Sequence, residues 1–303
     1  AERRAPAGED VERLSTALGP NTTETCNTYN MLKLTRHLFC WDPRAEYADY
    51  YERALINHIL ASQNPETGMM CYYVPLRSGM TRGGAGNGYS TPLNSFWCCT
   101  GTGVENHAKY GDSIYFRSPD DKNIYVNLFI ASKLTWTAKG LAVTQTSNYP
   151  DAVKTRLEFS CHEPVELNLK VRHPAWAKKE FTIKVNGERQ ATESQPGAYA
   201  VVTRTWKRGD VVEVEAPYHV STEGFRDNPN RLAFLTGPLV LCGILEGRTK
   251  IPALVPGNES PVDILEASNS VRTGREGPLH YAFPKAAGVC RIAGESEAVT
   301  VPL

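Results

Sequence analysis

Adjacent cysteines Cys98 and Cys99, together with an upstream Glu24-Thr25-Cys26 motif, are the residues of this chain best suited to chemistry. Three thiols and one carboxylate can ligate a tetrahedral zinc ion, because thiolate sulfur and carboxylate oxygen are both common zinc ligands. Successive helical positions point about 100° apart, so both motifs are predicted to lie in loops or at helix starts. Spacing alone leaves open four unrelated buried residues, because free cysteine is often buried.

Both motifs are predicted to lie where a helix begins. The polar residues 21–23 are good N-cap residues, and the run after Cys26 has apolar residues at helical spacing. After Cys98 and Cys99, apolar and small residues again recur at helical spacing. A helix N-terminus carries partial positive charge, so two of them converging on the proposed metal would favour thiolate over thiol.

Two long stretches of sequence add information beyond spacing. They are Thr23–Phe39, TETCNTYNMLKLTRHLF, and Phe96–Phe116, FWCCTGTGVENHAKYGDSIYF. Both closely resemble parts of the β-L-arabinofuranosidases of glycoside hydrolase families 127 and 146. The resemblance runs from about residue 20 to about residue 245, and it is strongest up to Phe116.

The resemblance implies a cysteine-based glycosidase mechanism that depends on zinc. In this sequence the zinc ligands would be Glu24, Cys26, Cys98 and Cys99, and Cys98 would also be the nucleophile that attacks the anomeric carbon. Metal coordination deprotonates a thiol, and a covalent glycosyl-enzyme divides one displacement into two, so configuration is retained. The implied reaction releases β-L-arabinofuranosyl residues from plant glycans, so an arabinofuranose-containing oligosaccharide is the expected partner.

A retaining mechanism also needs an acid/base, which the resemblance places upstream of the zinc glutamate. Glu2 is the candidate, because the downstream motif Pro6-Ala7-Gly8 is similar to one that often follows the family's glutamate, and Glu9 is the alternative. Arg3 and Arg4 stand where the family tends to have His-Phe, so this chain departs from the pattern. A solvated cluster of charges is the other interpretation of both glutamates.

Three further residues are candidate substrate contacts. Tyr73 lies where the family places a tyrosine near the sugar, and a core aromatic is the alternative. Glu105 and His107 follow the cysteines by about one helical turn, where they could bond substrate hydroxyls or support a zinc ligand. A polar helix face is the alternative for these two. Trp97 is expected to pack in the interior rather than to stack on a sugar.

The periodicity of apolar residues divides the chain into a helical part and a β-rich part. Helices are predicted at Thr25–Phe39, Ala45–Ser62 and Thr102–Tyr115. The resemblance implies an (α/α)6 catalytic barrel, and three helices are too few to close one. We therefore expect an α+β multidomain chain that is the C-terminal portion of a longer protein, with residues 1–120 as a partial barrel and residues 121–303 as a β-sandwich.

Short strands separated by turns are predicted after residue 120. They are expected at 123–132, 141–145, 155–159, 165–171, 181–185, 199–206, 211–215, 232–245, 280–283 and 289–292. One apolar face of the helical part is expected to be exposed, because further barrel helices would normally cover it. That face consists of Met31, Leu34, Leu38, Leu55 and Ile59.

Charge and composition exclude several classes of partner. Thirty-three basic and thirty-three acidic residues give no net charge, so electrostatic capture of nucleic acid or an anionic membrane is not expected. No apolar run approaches the roughly 18 residues of a membrane span. The eight cysteines are scattered, which is more typical of a reducing compartment than of a disulfide framework. The compartment stays open between cytoplasmic and secreted or periplasmic, and a homodimer is one possible assembly.

Two other classes of protein fit the same residues. In the first, zinc held by Glu24 and the three cysteines is purely structural, in a carbohydrate-binding or scaffolding protein. In the second, the chain is a thiol redox protein in which Cys98 and Cys99 respond to oxidants. A metal assay distinguishes the second class from the others.

Overall fold

The computed structural model describes residues 14–77, 80, 82, 88–178, 180–241, 287–290 and 299–302. In this part of the chain the helices come first and the β-strands follow, as the periodicity predicted. None of the helices described has the length and apolar character needed to cross a membrane.

Three α-helices precede the strands: α1 (Thr25–Trp41), α2 (Ala45–Ala54) and α3 (Cys98–Ala108). α2 continues without a break into a π-helical turn, Leu55–Ile59, and a 3₁₀ turn, Leu60–Ser62. The predicted helices at 25–39 and 45–62 are therefore confirmed. Two short 3₁₀ helices lie at Leu14–Ala17 and Thr137–Lys139.

The third helix begins and ends earlier than predicted. It begins at Cys98 rather than at residue 102 and ends at Ala108 rather than at residue 115. Gly101 and Gly103 are poor helix formers. Both glycines lie inside the helix, and Gly103 packs so closely against Met70 that a Cβ there would lie 2.6 Å from its Cγ.

The apolar face predicted to be exposed is only partly so. Met31 and Leu34 on α1 are 41% and 44% exposed, as expected. Leu55 and Ile59 are buried, so this part of the prediction is wrong. The α2 extension packs against the opposite face of α1 in a small core, which contains Tyr29, Leu32, Tyr51, Leu55, Ile59, Ile114 and Leu128.

The π-helical turn presents adjacent side chains to different neighbours. Asn57 donates from Nδ2 to the carbonyl of Pro238 at 2.8 Å and accepts from the backbone amide of Val240 at 2.8 Å. The next residue, His58, lies 2.7 Å from the hydroxyl of Thr28 on α1. The wider π turn therefore links the first turn of α1 to a hairpin in the β-rich part.

Fifteen strands, β1–β15, lie within the described residues. In chain order they are Tyr115–Arg117, Asn123–Val126, Ser132–Trp136, Leu141–Ser147, Lys154–Cys161, Val165–His173, Thr182–Val185, Glu188–Arg189, Ala198–Trp206, Val211–Glu215, Val220–Phe225, Asn228–Thr236, Leu239–Val240, Ala287–Cys290 and Val299–Pro302. The strand predicted at 280–283 lies outside the described residues.

Two predicted strands are each divided in two. The strand predicted at 123–132 is interrupted because side chains take the carbonyls of its middle residues: Gln145 donates to Leu128 and Ile130, and Arg172 donates to Asn127. The strand predicted at 232–245 is broken by a two-residue hairpin turn at residues 237–238, a glycine and a proline.

The strands form two main sheets that share one core. The first sheet has the order β1-β2-β6-β9, in which only β2 and β6 are parallel, and the second is antiparallel with the order β3-β4-β5-β10-β7-β8. Buried residues of β5 alternate with exposed ones, as expected for a strand with one face in the core. Phe159 from the second sheet stacks on Trp206 from the first at 4.0 Å, so both sheets contribute to the same core. Smaller sheets pair β11-β12-β13 and β14-β15.

A buried ion cluster joins α2 to the first sheet. Arg172 on β6 is fully buried and contacts the carboxylates of Asp49 and Glu52 on α2. Glu52 also accepts hydrogen bonds from Trp176, at 2.8 Å, and from the hydroxyl of Tyr149. Because each charge has a partner, the cluster can remain in a dry interior and hold the helical part against the sheets.

We expect Arg172→Met to lower the free energy of unfolding by about 3–5 kcal/mol, because it leaves the buried carboxylate of Glu52 and the largely buried one of Asp49 without a cation. Urea denaturation followed by tryptophan fluorescence measures this change. Arg156→Met is the matched control, because Arg156 pairs with Glu158 on an exposed strand face and should cost no more than about 1 kcal/mol. Equal losses in the two variants would contradict the role assigned to the cluster.

Candidate metal centre and active site

The side chains of Glu24, Cys26, Cys98 and Cys99 converge, with four potential ligand atoms all within 4.8 Å of one another. Cys98 Sγ lies 3.3 Å from Cys26 Sγ, 3.9 Å from Cys99 Sγ and 3.2 Å from Glu24 Oε1. A tetrahedral ion about 2.3 Å from each sulfur separates its ligand atoms by roughly 3.5–3.8 Å. The spacing and the donor types therefore fit a zinc ion.

All four residues lie at the start of a helix. Glu24 is the N-cap of α1 and Cys26 is its second residue, whereas Cys98 and Cys99 are the first two residues of α3. Residues 21–23 were expected to cap α1, but the N-cap is Glu24, whose side chain makes no capping hydrogen bond. Its carboxylate instead faces Cys98, at the positive end of both helices.

An extended segment, Met70–Tyr73, lies between the two helix starts. Tyr73 pairs with Glu24 in an isolated antiparallel bridge, and the amide of Thr25 donates to the carbonyl of Tyr72 at 3.2 Å. That same carbonyl lies 3.5 Å from Cys99 Sγ on α3. One strand-like segment therefore contacts both halves of the ligand set and fixes their spacing.

The two adjacent cysteines differ in exposure. Cys99 is fully buried, whereas Cys98 is exposed. The hydroxyl of Tyr72 lies 3.6 Å from Cys98 Sγ, and its ring stacks on Trp97 with centroids 5.3 Å apart. Cys98 is therefore the most exposed of the three cysteines and lies beside an aromatic surface, whereas Cys26 is half-buried.

The ionisable groups of the cluster strongly affect one another. Burial raises the pKa of Cys99 to about 11, and burial together with hydrogen bonds to Cys98 and Glu24 raises the pKa of Cys26. Burial also acts to raise the pKa of Glu24, but hydrogen bonds from Cys98, Cys26 and Tyr72 outweigh it and lower that pKa. The protein alone thus keeps these two thiols protonated at neutral pH, and a bound cation would reverse that preference.

Known protein families match both the helical part and the β-rich part of the chain. The β-L-arabinofuranosidase GH127 catalytic domain matches residues 11–112, and the GH127 middle domain matches residues 123–218. The chain belongs to glycoside hydrolase family 127. It is 26% identical over 243 residues to the non-reducing end β-L-arabinofuranosidase of Bifidobacterium longum subsp. longum. This alignment covers 74% of this chain and 36% of that protein.

Two solved structures share the fold. A GH127 β-L-arabinofuranosidase from Geobacillus stearothermophilus T6 superposes with a TM-score of 0.70 at 23% identity, covering 93% of this chain and 46% of that one. A second structure, titled a glycoside hydrolase, has the same TM-score and identity and is covered to 49%. The chain thus spans between about a third and a half of the length of these relatives.

The remaining site residues suggested by the sequence lie in different places within this GH127 chain. Tyr73 contacts Tyr72 and the backbone of Glu24. Glu105 accepts a hydrogen bond from Tyr29 at 2.5 Å, and His107 bonds Tyr110 at 2.6 Å. Both lie about two helical turns beyond the cysteines rather than the one turn expected, and their hydrogen bonds are to tyrosines rather than to the thiols.

Glu2 and Glu9, the two acid/base candidates, lie outside the described residues, as does most of the glycine-rich stretch 83–88.

Sequence reasoning gave no role to Tyr72, His58 or Gly103. Tyr72 and Tyr73 alternate sides along an extended segment, and only the pairing with Glu24 decides which hydroxyl faces Cys98. Gly103 next to Met70 had no sequence signal, because the two residues are distant in the chain.

We expect Gly103→Ala to weaken metal binding at least tenfold, because the new Cβ would displace Met70 or α3 and so alter the spacing of the ligands. Competition with a chromophoric zinc chelator measures this affinity. Gly101→Ala is the matched control: a Cβ there meets nothing within 4 Å, so helix stability should rise slightly and affinity should stay unchanged. Equal affinities for the two variants would show that this contact does not set the site.

His58 should make stability depend on pH. Burial lowers the pKa of His58 to about 4, opposed by the carbonyl of Thr23, whereas an unfolded histidine titrates near about 6.5. Between these values the unfolded state binds the extra proton. The free energy of unfolding should therefore fall as the pH drops from about 6.5 to about 4, by up to about 3 kcal/mol.

Urea denaturation of metal-free protein at several pH values tests this expectation against His58→Gln, which cannot titrate. The variant should lose less stability than the wild type over the same interval, because its other acidic and basic groups are unchanged. Parallel pH profiles for the two proteins would contradict the assignment.

Proposed function

We propose that this chain carries the metal site and the nucleophile of a zinc-dependent retaining β-L-arabinofuranosidase that acts on plant-derived glycans. The observation that carries the proposal is the exposed sulfur of Cys98 within a set of one carboxylate and three thiols. Membership of family 127 supports the substrate class, because the curated relative is named for release of non-reducing end β-L-arabinofuranose.

Glu24, Cys26, Cys98 and Cys99 would hold the zinc ion, with the geometry of donors described above. Zinc, when bound, keeps its thiol ligands deprotonated at neutral pH. This function is needed here because burial otherwise favours protonated thiols at Cys26 and Cys99. The buried Cys99 is suited to a ligand role alone, whereas Cys98 can also meet a substrate.

In the proposed reaction Cys98 Sγ attacks the anomeric carbon of the terminal arabinofuranose. A carbon–sulfur bond forms as the bond to the leaving oxygen breaks, and the leaving oxygen takes a proton from an acid. Water then donates a proton to the conjugate base and displaces the sulfur, so two inversions give net retention. The Tyr72 hydroxyl, 3.6 Å from Cys98 Sγ, would orient the sulfur.

Glu2, with Glu9 as the alternative, is the acid/base expected from the family resemblance.

We further propose that α1–α3 form the last part of an (α/α)6 barrel and that the two main sheets form a β-sandwich. The exposed Met31 and Leu34 support this arrangement. It stays a prediction that Tyr73, Glu105 and His107 contact the substrate. A homodimer also stays a prediction.

The two other classes predict different behaviour of the same cluster. A structural zinc site would not need an exposed ligand sulfur beside a tyrosine hydroxyl, so the position of Cys98 favours catalysis. A thiol redox protein would bind no metal and would respond to oxidants through its paired thiols. Zinc content near one ion per chain, lost in alanine variants of Glu24, Cys26 or Cys99, would exclude the redox protein.

We expect an electrophilic β-L-arabinofuranose mimic to label Cys98, because this sulfur is the exposed nucleophile of the set. Peptide mass spectrometry of the zinc-loaded chain identifies the labelled residue. Cys98→Ser should lose the label, since a serine hydroxyl is much harder to ionise. Cys40→Ser is the matched control, because Cys40 is another exposed free cysteine on α1 and lies outside the cluster.

Label on Cys99, on Cys40 or on a glutamate would overturn the assignment of the nucleophile. An unlabelled zinc-loaded chain that nevertheless turns over an activated arabinofuranoside would overturn it as well. Activated leaving groups are the suitable substrates, because their departure needs little protonation.

A further inference from the structure

His58 lies in the π-helical turn after α2 and is almost fully buried. Its Nδ1 is 2.7 Å from Thr28 Oγ1, and the two share a hydrogen bond. Thr28 lies in the first turn of α1, and its amide bonds the carbonyl of Glu24. The imidazole thus contacts the turn that carries Glu24 and Cys26. Its hydrogen bond is to Thr28 and not to either ligand side chain.

The rest of the ring is enclosed as well. Nε2 is buried and has no hydrogen-bond partner among the described residues. The bond from Nδ1 to Thr28 is therefore the polar contact that holds the ring against the first turn of α1, where two of the four proposed ligands lie.

From this geometry we propose that His58 is a positioning residue, which fixes the first turn of α1 and thereby holds Glu24 and Cys26 at the spacing needed to bind zinc. The inference rests on the metal site of the proposed function and adds a residue outside the ligand set. Helix ends fray readily, because their first amides lack partners within the helix. The backbone pairing with Tyr72 and Tyr73 secures one side of this turn, and His58 secures the side nearer the helix interior.

The shape of the side chain explains why an imidazole suits this position. Asparagine places a polar atom near the position of Nδ1, so it can keep the bond to Thr28, whereas leucine fills a similar volume without any polar atom. Valine is close in shape to threonine and removes only the hydroxyl from Thr28. These three substitutions separate the hydrogen bond from the packing of the ring.

Zinc affinity of the whole chain, measured by competition with a chromophoric chelator, tests the proposal. We expect at least a tenfold loss in His58→Leu and in Thr28→Val, and a loss of no more than about threefold in His58→Asn. The double variant His58→Leu/Thr28→Val should bind zinc no more weakly than the weaker single variant, because both remove one interaction.

Thr35→Val is the matched control for stability. Thr35 is buried on α1, bonds the carbonyl of Met31 at 2.7 Å and lies more than two turns beyond Cys26. It should lower the stability of the metal-free protein, measured by urea denaturation, and leave zinc affinity unchanged. Loss of affinity in Thr35→Val equal to that in Thr28→Val would show a general effect of stability and overturn the proposal.

The outcomes also separate this inference from the proposed function. A folded wild-type chain that binds no zinc would overturn both. A wild-type chain that binds zinc, with unchanged affinity in His58→Leu and Thr28→Val, would overturn the positioning role alone. If His58→Leu fails to fold, Thr28→Val and His58→Asn still decide the question, because they change fewer buried atoms.

Discussion

The site depends on a short antiparallel contact between two pieces of chain that are distant in sequence. Backbone pairing of Glu24 with Tyr73 places the start of α1 beside the extended segment Met70–Tyr73. Cys99 and Gly103 of α3 pack against the same segment. Backbone hydrogen bonds have nearly fixed lengths, so they act as spacers between helices. The distances between sulfur and carboxylate atoms follow from this spacing rather than from the ligands themselves.

The helical part and the sheets are joined by contacts of a different kind. Arg172 lies in the first sheet and its carboxylate partners lie on α2, so the charges satisfy one another only when the two parts are assembled. Such a contact is costly when incomplete, because an unpaired buried charge is strongly unfavourable. It therefore favours one orientation of α2, and through the core around Tyr51 and Leu55 it orients α1 as well.

Much of this organisation could be predicted from the sequence, and the exceptions have physical causes. The first two helices and most strands follow from periodicity, whereas residue types suggested the Glu24, Cys26, Cys98 and Cys99 set and the family resemblance assigned it. The prediction of an exposed apolar face was partly wrong, because periodicity identifies an apolar face but not the neighbour that covers it. Leu55 and Ile59 are buried for this reason. The choice between Tyr72 and Tyr73, and the roles of Gly103 and His58, depend on contacts between distant segments, which a single sequence does not encode locally.

The π-helical turn Leu55–Ile59 has a consequence for how this region can change. A π turn contains one residue more than an α turn, so it accommodates a single-residue insertion without disturbing the helix on either side. Here the extra residue lets consecutive side chains, Asn57 and His58, face a β-hairpin and α1 respectively. Deletion of one residue would restore a regular α-helix with the flanking turns in place, and the turn would then present one side chain fewer. One of the two attachments would then be lost, so the length of this turn is under tighter constraint than the identity of most of its residues.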